Sequence, residues 1–174
     1  MSVGNGLKIA VLVFLVSIMQ VSAFSSIRID GAAPDLLLVT LVSVALLRGS
    51  ITGAVTGFLA GLVVDVATLG TLGLTSLLLT LAGYWAGRYG ETTGRGRPHA
   101  PLVATVVATV FVELGGYCLD ALLGGPVGVR AVLLALPAAV IWNALLAYPV
   151  FALVRKLIGS TERVERAREV ELLV

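Results

Sequence analysis

The chain has 174 residues, of which 58% are apolar and only 13% charged, and its mean hydropathy is +1.04. A soluble domain carries roughly 25% charged residues and a soluble chain this apolar would aggregate through exposed patches, so an ordinary cytosolic enzyme, a disordered chain and a disulfide scaffold are excluded; the single cysteine, Cys118, can form no internal disulfide. The net charge of +2 comes from cations that flank apolar runs and form no stripe interleaved with aromatics, which argues against nucleic acid and for an integral membrane protein.

A helix that crosses a bilayer needs about 20 mostly apolar residues, with about 17–25 tolerated. Six runs are expected to form such helices: 7–24, 32–47, 51–68, 72–87, 102–123 and 131–154. They are apolar all round, without the alternation of an outer-membrane barrel strand. The expected architecture is therefore an all-α polytopic membrane protein, with a six-helix membrane domain over 1–159 and a charged tail over 160–174.

The first run has Lys8 near its start, then an apolar stretch and Val21-Ser22-Ala23 near its end, a pattern that also fits a cleavable signal peptide. The second is short and opens at Pro34-Asp35, where the Asp35 carboxyl can accept hydrogen bonds from the first turn. In the third, Gly53, Gly57 and Gly61 recur every fourth residue and lead to Asp65, which places all of them on one slowly drifting face. Gly83 and Gly87 repeat that spacing in the fourth. Small residues let helix backbones approach closely in lipid, and two uses of the stripe are open: packing inside the bundle, or capture of a helix from another protein.

Residues 88–101 (RYGETTGRGRPHAP) read as a polar inner loop, and its His99 as solvent-exposed. The fifth run holds Glu113 and Asp120 on one face, with Gly115 and Gly116 between them; the sixth holds Asn143 and two expected kinks, at Pro137 and Pro149. An intramembrane carboxylate costs about 2.5–3.5 kcal/mol on insertion scales, and apart from Lys8 at the very start of the first, no Lys or Arg lies within the runs to offset it. Glu113 is accordingly expected to be uncharged or hydrogen-bonded to Asn143, Tyr148 or a hydroxyl. The tail, with Glu162 attracting Arg166 and Glu165 repelling Glu169, reads as a short surface helix that rests on lipid head groups through Val164 and Leu172.

Cation counts orient the chain. With the N-terminus inside, the inner segments carry Lys8, Arg48, Arg88, Arg95, Arg97, Arg155, Lys156, Arg163, Arg166 and Arg168, and the outer loops only Arg28 and Arg130. Both termini are thus expected in the cytoplasm. Asp65 and Asp120 sit near the outer edge, outside the paired mid-membrane contexts of an intramembrane aspartyl protease, and no Ser/His or Cys/His arrangement exists. Nor is there a His or Cys cluster to hold a metal. No catalytic group, cofactor or metal site is expected.

The stretch Pro34-Asp35-Leu36-Leu37-Leu38, then Ala45-Leu46-Leu47-Arg48-Gly49, Gly53-x-x-x-Gly57-Phe58-Leu59-Ala60-Gly61-Leu62-x-x-Asp65, Leu69-Gly70-Thr71-Leu72-Gly73-Leu74 and Leu81-Ala82-Gly83-Tyr84-x-Ala86-Gly87-Arg88 resembles the rod shape-determining protein MreD family. Pro34, Asp35, Arg48, Gly57, Gly61, Asp65, Gly73 and Gly83 match its pattern. Thr75 departs from it, since a polar or aromatic residue, often His, tends to follow the Gly-Leu there. The resemblance implies a small, non-enzymatic protein of the bacterial inner membrane that associates with the bitopic protein MreC. Through MreC it would reach the filament MreB, RodA and a class B penicillin-binding protein in the elongasome that controls peptidoglycan synthesis. It also implies a fold similar to the substrate-binding component of energy-coupling-factor transporters.

On this reading Gly53, Gly57 and Gly61 receive a partner helix, with Asp65 and Asp35 at the partner-binding rim, while Glu113, Asp120 and Asn143 are the intramembrane polar residues. The alternative is the solute-binding membrane component of a vitamin or metal uptake transporter. Against it, the outer loops offer only Arg28, Asp30 and Arg130 to grip a solute, and Tyr84, Trp85, Tyr89 and Trp142 lie inside or deep.

Overall fold

The computed structural model describes residues 3–24, 34–93, 99–124 and 128–158. The expectations for Arg28, Asp30, Arg95, Arg97 and the tail with its Glu162–Arg166 pair fall outside these residues. The described residues form six α-helices and no strand: α1 (Val3–Met19), continued by a π-helical turn (Gln20–Phe24), α2 (Leu36–Arg48), α3 (Ser50–Thr68), α4 (Leu74–Thr93), α5 (Ala100–Leu122) and α6 (Val129–Ile158). Three are long and apolar enough to cross a membrane, in α3, α5 and α6; two shorter apolar helices lie in α1 and α2.

α2 is the axis of the bundle. Every residue from Leu37 to Leu47 is buried, as befits a helix apolar on all sides, and α1, α3, α4, α5 and α6 all pack on it. Asp35 caps its start, with Oδ1 accepting from the Leu38 N–H at 2.9 Å. Gly49 closes its end, donating its N–H to the Ala45 carbonyl at 2.8 Å. Gly49 has a φ of 96°, a conformation open to glycine and costly for other residues, so α3 can start one residue later and fold back beside α2.

At a rise of 1.5 Å per residue α2 is about 20 Å long, against a hydrocarbon core of roughly 30 Å. Two bonds to α6 fix where that length lies. At one end Arg48 Nη2 donates to the Ile158 carbonyl at 2.6 Å; at the other the Asp35 N–H donates to Asn143 Oδ1 at 2.8 Å. Asn143 is the fifteenth of the thirty residues of α6. The head of α2 therefore stands level with the middle of α6, and α2 reaches only part of the way through the bundle.

The structure also lengthens α4, which runs on to Thr93, so the first part of the expected 88–101 loop is helical. Exposed His99 sits just before α5, where its side chain makes no capping bond. α6 continues as one helix through both Pro137 and Pro149.

Candidate functional site

α3 and α4 share the most extensive interface in the molecule, and its centre is the glycine stripe. A Cβ added at Gly53 would strike the Gly83 carbonyl and approach the Ala45 Cβ to 2.7 Å; at Gly57 it would strike the Leu79 carbonyl, and at Gly61 the Cα of Ser76. From the α4 side, Gly83 meets the Gly53 carbonyl and Gly87 meets Gly49 and Ser50. The two stripes face each other at backbone contact, the close approach that small residues permit in lipid. Of the two uses open for the stripe, the structure shows packing within the chain. Gly53, Gly57 and Gly61 are buried, so expecting a partner's helix on this face requires correction: α4 already occupies it.

Each end of this hairpin is tied by a carboxylate from one helix on the first turn of the other. Asp65, 2% exposed, accepts from the N–H groups of Gly73 (Oδ2, 2.8 Å), Thr75 (Oδ1, 3.2 Å) and Ser76 (Oδ2, 3.3 Å). These are groups that the start of α4 cannot satisfy itself. Asp65 thus caps α4 rather than waiting at a rim for a partner, a second correction. The turn that brings α4 to it uses Leu69 at φ 53° and Gly73 at φ 93°; the former is a left-handed conformation costing a non-glycine residue roughly 1–2 kcal/mol. At the opposite end Glu91 of α4 accepts from the Ser50 N–H (2.9 Å) and Ser50 Oγ (3.1 Å) at the start of α3. Glu91 carries no signal in the sequence beyond its place near the end of the fourth run.

The Ser50 N–H bond, with help from the Ser50 hydroxyl and Arg88, holds the Glu91 carboxyl below its ordinary value of 4.5. A carboxyl depressed in the folded state adds stability above its unfolded value, and that stability is lost as pH falls through the folded one. Glu91→Gln is therefore expected to melt below the unaltered chain at pH 6–7, with the gap closing as pH drops below about 4.5. Thermal unfolding of both proteins in detergent across that range checks it. The exposed Arg88–Glu91 pair, 3.3 Å apart, adds little by itself.

A second polar cluster surrounds the head of α2. Gln20 Nε2 donates to the Pro34 carbonyl at 3.1 Å while Gln20 Oε1 accepts from the Leu36 N–H at 3.0 Å. Asn143, 1% exposed, accepts from Asp35 N–H and donates through Nδ2 to Thr109 Oγ1 at 3.1 Å. Thr109 in turn donates to the Thr105 carbonyl at 2.9 Å. Non-helical backbone is tolerated at membrane depth only where protein or water satisfies it, and here two amides from α6 and the π-helical turn after α1 do so. Asp35 lies inside this cluster, away from any partner-facing rim. The sequence singled out Asp35 and Asn143 but not Gln20, whose only cue was an amide at the end of an apolar run.

Glu113 lies one turn beyond Thr109 on α5 and is exposed. The expected bond to Asn143 or Tyr148 does not form: Asn143 is engaged with Asp35 and Thr109, and Tyr148 is exposed. Asp120 is half-buried seven residues further on. Gly115 faces Leu78 of α4, whose side chain an added Cβ would meet at 2.7 Å.

Two apolar grooves lie on the surface of the described residues. One of about 600 Å³ runs between α1 and α3 past Val13, Phe14, Val55 and Leu59; one of about 370 Å³ lies between α4 and α5 beside Trp85, Tyr89, Val107 and Phe111. Hydroxyls in the first are turned onto their own helices, Ser17 to the Val13 carbonyl and Thr56 to the Thr52 carbonyl.

A family model described as rod shape-determining protein MreD matches residues 3–160. The chain belongs to the MreD family. The match takes in all six helices, including α5 and α6, where the sequence resemblance rested on length and polarity alone. No curated protein and no solved structure matches the chain. In this MreD-family protein, then, the residues of the family-like stretch that can be placed serve the interior: Pro34 and Asp35 start the central helix, Gly57, Gly61 and Gly83 join α3 to α4, Asp65 caps α4, Gly73 makes its turn, and Arg48 ties α2 to the end of α6.

Proposed function

We propose that the chain is a non-enzymatic scaffold of the cell-elongation machinery in the bacterial inner membrane. In this reading it binds a bitopic MreC-like protein, and through it works with MreB, RodA and a class B penicillin-binding protein to control peptidoglycan synthesis. The observation that carries the reading is the family match over 3–160. The fold is consistent with it: the intramembrane carboxylates and amides that can be traced to partners serve helix caps and backbone bonds, which suits a rigid platform. Cation placement supports a cytoplasmic Arg48 end, cytoplasmic termini and six membrane-embedded helices, with residues 1–159 as the membrane domain and 160–174 as a tail against lipid. Likeness to the substrate-binding component of energy-coupling-factor transporters belongs to the same reading. Solute capture fares less well, since both grooves present mostly apolar walls and the Ser17 and Thr56 hydroxyls of the first are already used.

Depleting the protein from its own cells is expected to widen them and reduce incorporation of new peptidoglycan along the side wall, with restoration by the unaltered gene. Unchanged width and unchanged side-wall incorporation would overturn the scaffold reading.

A further inference from the structure

The packing of α5 changes half-way along. Ala100, Pro101, Ala104, Thr105, Ala108 and Thr109 are buried; from Val110 to Leu122 not one residue is. The reason is geometric. α2 stops at the level of Thr109 through its bond chain to Asn143, so the second half of α5 has no central helix to lie against.

Glu113 opens this half. It stands about 20 Å along α5 from Ala100, inside the hydrocarbon thickness if Ala100 marks the inner edge. It is exposed, and among the described residues it makes no hydrogen bond and no ion pair. An acidic side chain left unmatched at membrane depth is costly. Leu114 beside Glu113 is exposed, whereas the half-buried Gly115 and Gly116 turn toward Leu78 of α4 on another face of the helix.

We infer that the outer half of α5, centred on Glu113, is the docking face for a membrane-spanning helix of the partner, one that places a basic or amide side chain at the depth of Glu113. Charge selects this occupant. A second copy of the chain carries Lys or Arg only at the ends of its runs, such as Lys8, and its intramembrane amides Gln20 and Asn143 are already engaged; a lipid tail offers no donor. The inference rests on the scaffold reading above for the partner's identity, and it moves the contact from the glycine stripe of α3, which α4 covers, to α5.

The test is co-purification in mild detergent of the MreC-like protein encoded in the same genome, with the full chain unaltered or carrying Glu113→Leu or Glu113→Gln. Intramembrane hydrogen bonds of this kind suggest a loss of about ten-fold in recovered partner for Glu113→Leu, with Glu113→Gln losing less because it keeps an acceptor. Both variants are expected to insert and to elute as the unaltered chain does, since Glu113 supports no internal bond. A charge exchange sharpens the result: Glu113→Lys should abolish recovery, and replacing the partner's intramembrane cation or amide with Glu should restore it. Full recovery with Glu113→Leu would overturn the docking face while leaving the scaffold reading intact. No recovery with the unaltered chain would overturn the partner and the face together.

Discussion

Gly57→Ala is expected to destabilise the bundle by about 3 kcal/mol, the upper part of the range for forcing a methyl into a close-packed interface, and Gly57→Leu to yield no stably folded protein. The added atom would meet the Leu79 carbonyl, which belongs to the backbone of a packed helix and cannot rotate away. The two helices would have to separate along the length where Gly53–Gly83 and Gly61–Ser76 are also in backbone contact. In lipid little hydrophobic drive would draw them back together. Thermal unfolding and size-exclusion behaviour in detergent measure the effect. A control at Phe58, which is exposed on the same helix, should tolerate Ala with little change. A Gly57→Ala protein as stable as the parent would mean that α4 does not sit on the stripe.

Removing the Asp65 carboxyl has the second largest expected effect. Asp65→Ala leaves the N–H groups of Gly73, Thr75 and Ser76 without their acceptor, the last of them on a buried residue. The expected loss is about 3 kcal/mol, since hydrogen bonds to charged acceptors are worth about 1.5–3 kcal/mol and orphaned buried donors add to the cost. Asp65→Asn retains one acceptor oxygen and should recover part of the loss. Equal stability of the Ala and Asn variants would show that the carboxylate is not the cap. The same comparison separates a structural from a partner-binding role, because a rim residue awaiting a partner would leave the stability of the isolated protein unmoved.

Much of this framework was legible in the residues. The four-residue recurrence of Gly53, Gly57 and Gly61 marked a face for close approach, and Gly83 and Gly87 supplied the matching stripe at the same spacing. Sequence alone could not pair them, because either stripe would suit any smooth helix. What pairs them is the short turn from Leu69 to Gly73, which folds α4 straight back along α3. Asp35 was readable as a cap from Pro-Asp before an apolar run. Its depth was not: that depends on Asn143, 108 residues away, and on Gln20, whose bonds to Pro34 and Leu36 exist only after the chain has turned back. The shortness of the second run did point in this direction, since 16 or so apolar residues fall below a full crossing. Glu113 was marked as a carboxyl in need of a partner, but Asn143, one of those expected, is committed to the head of α2. Glu113 is exposed and, among the described residues, has no hydrogen bond.

Family membership and this division of labour give a simple picture. On the reading proposed above, the family-matching residues from Pro34 to Gly83 join the helices of the bundle to one another, and the outer half of α5 meets the partner. In-cell photo-crosslinking tests it most directly, with the reactive side chain placed in turn at position 114, beside Glu113 on α5, and at position 58, on the open side of α3. The account predicts capture of the MreC-like protein from position 114 and not from position 58. Capture from position 58 with none from position 114 would contradict it and return the partner to α3.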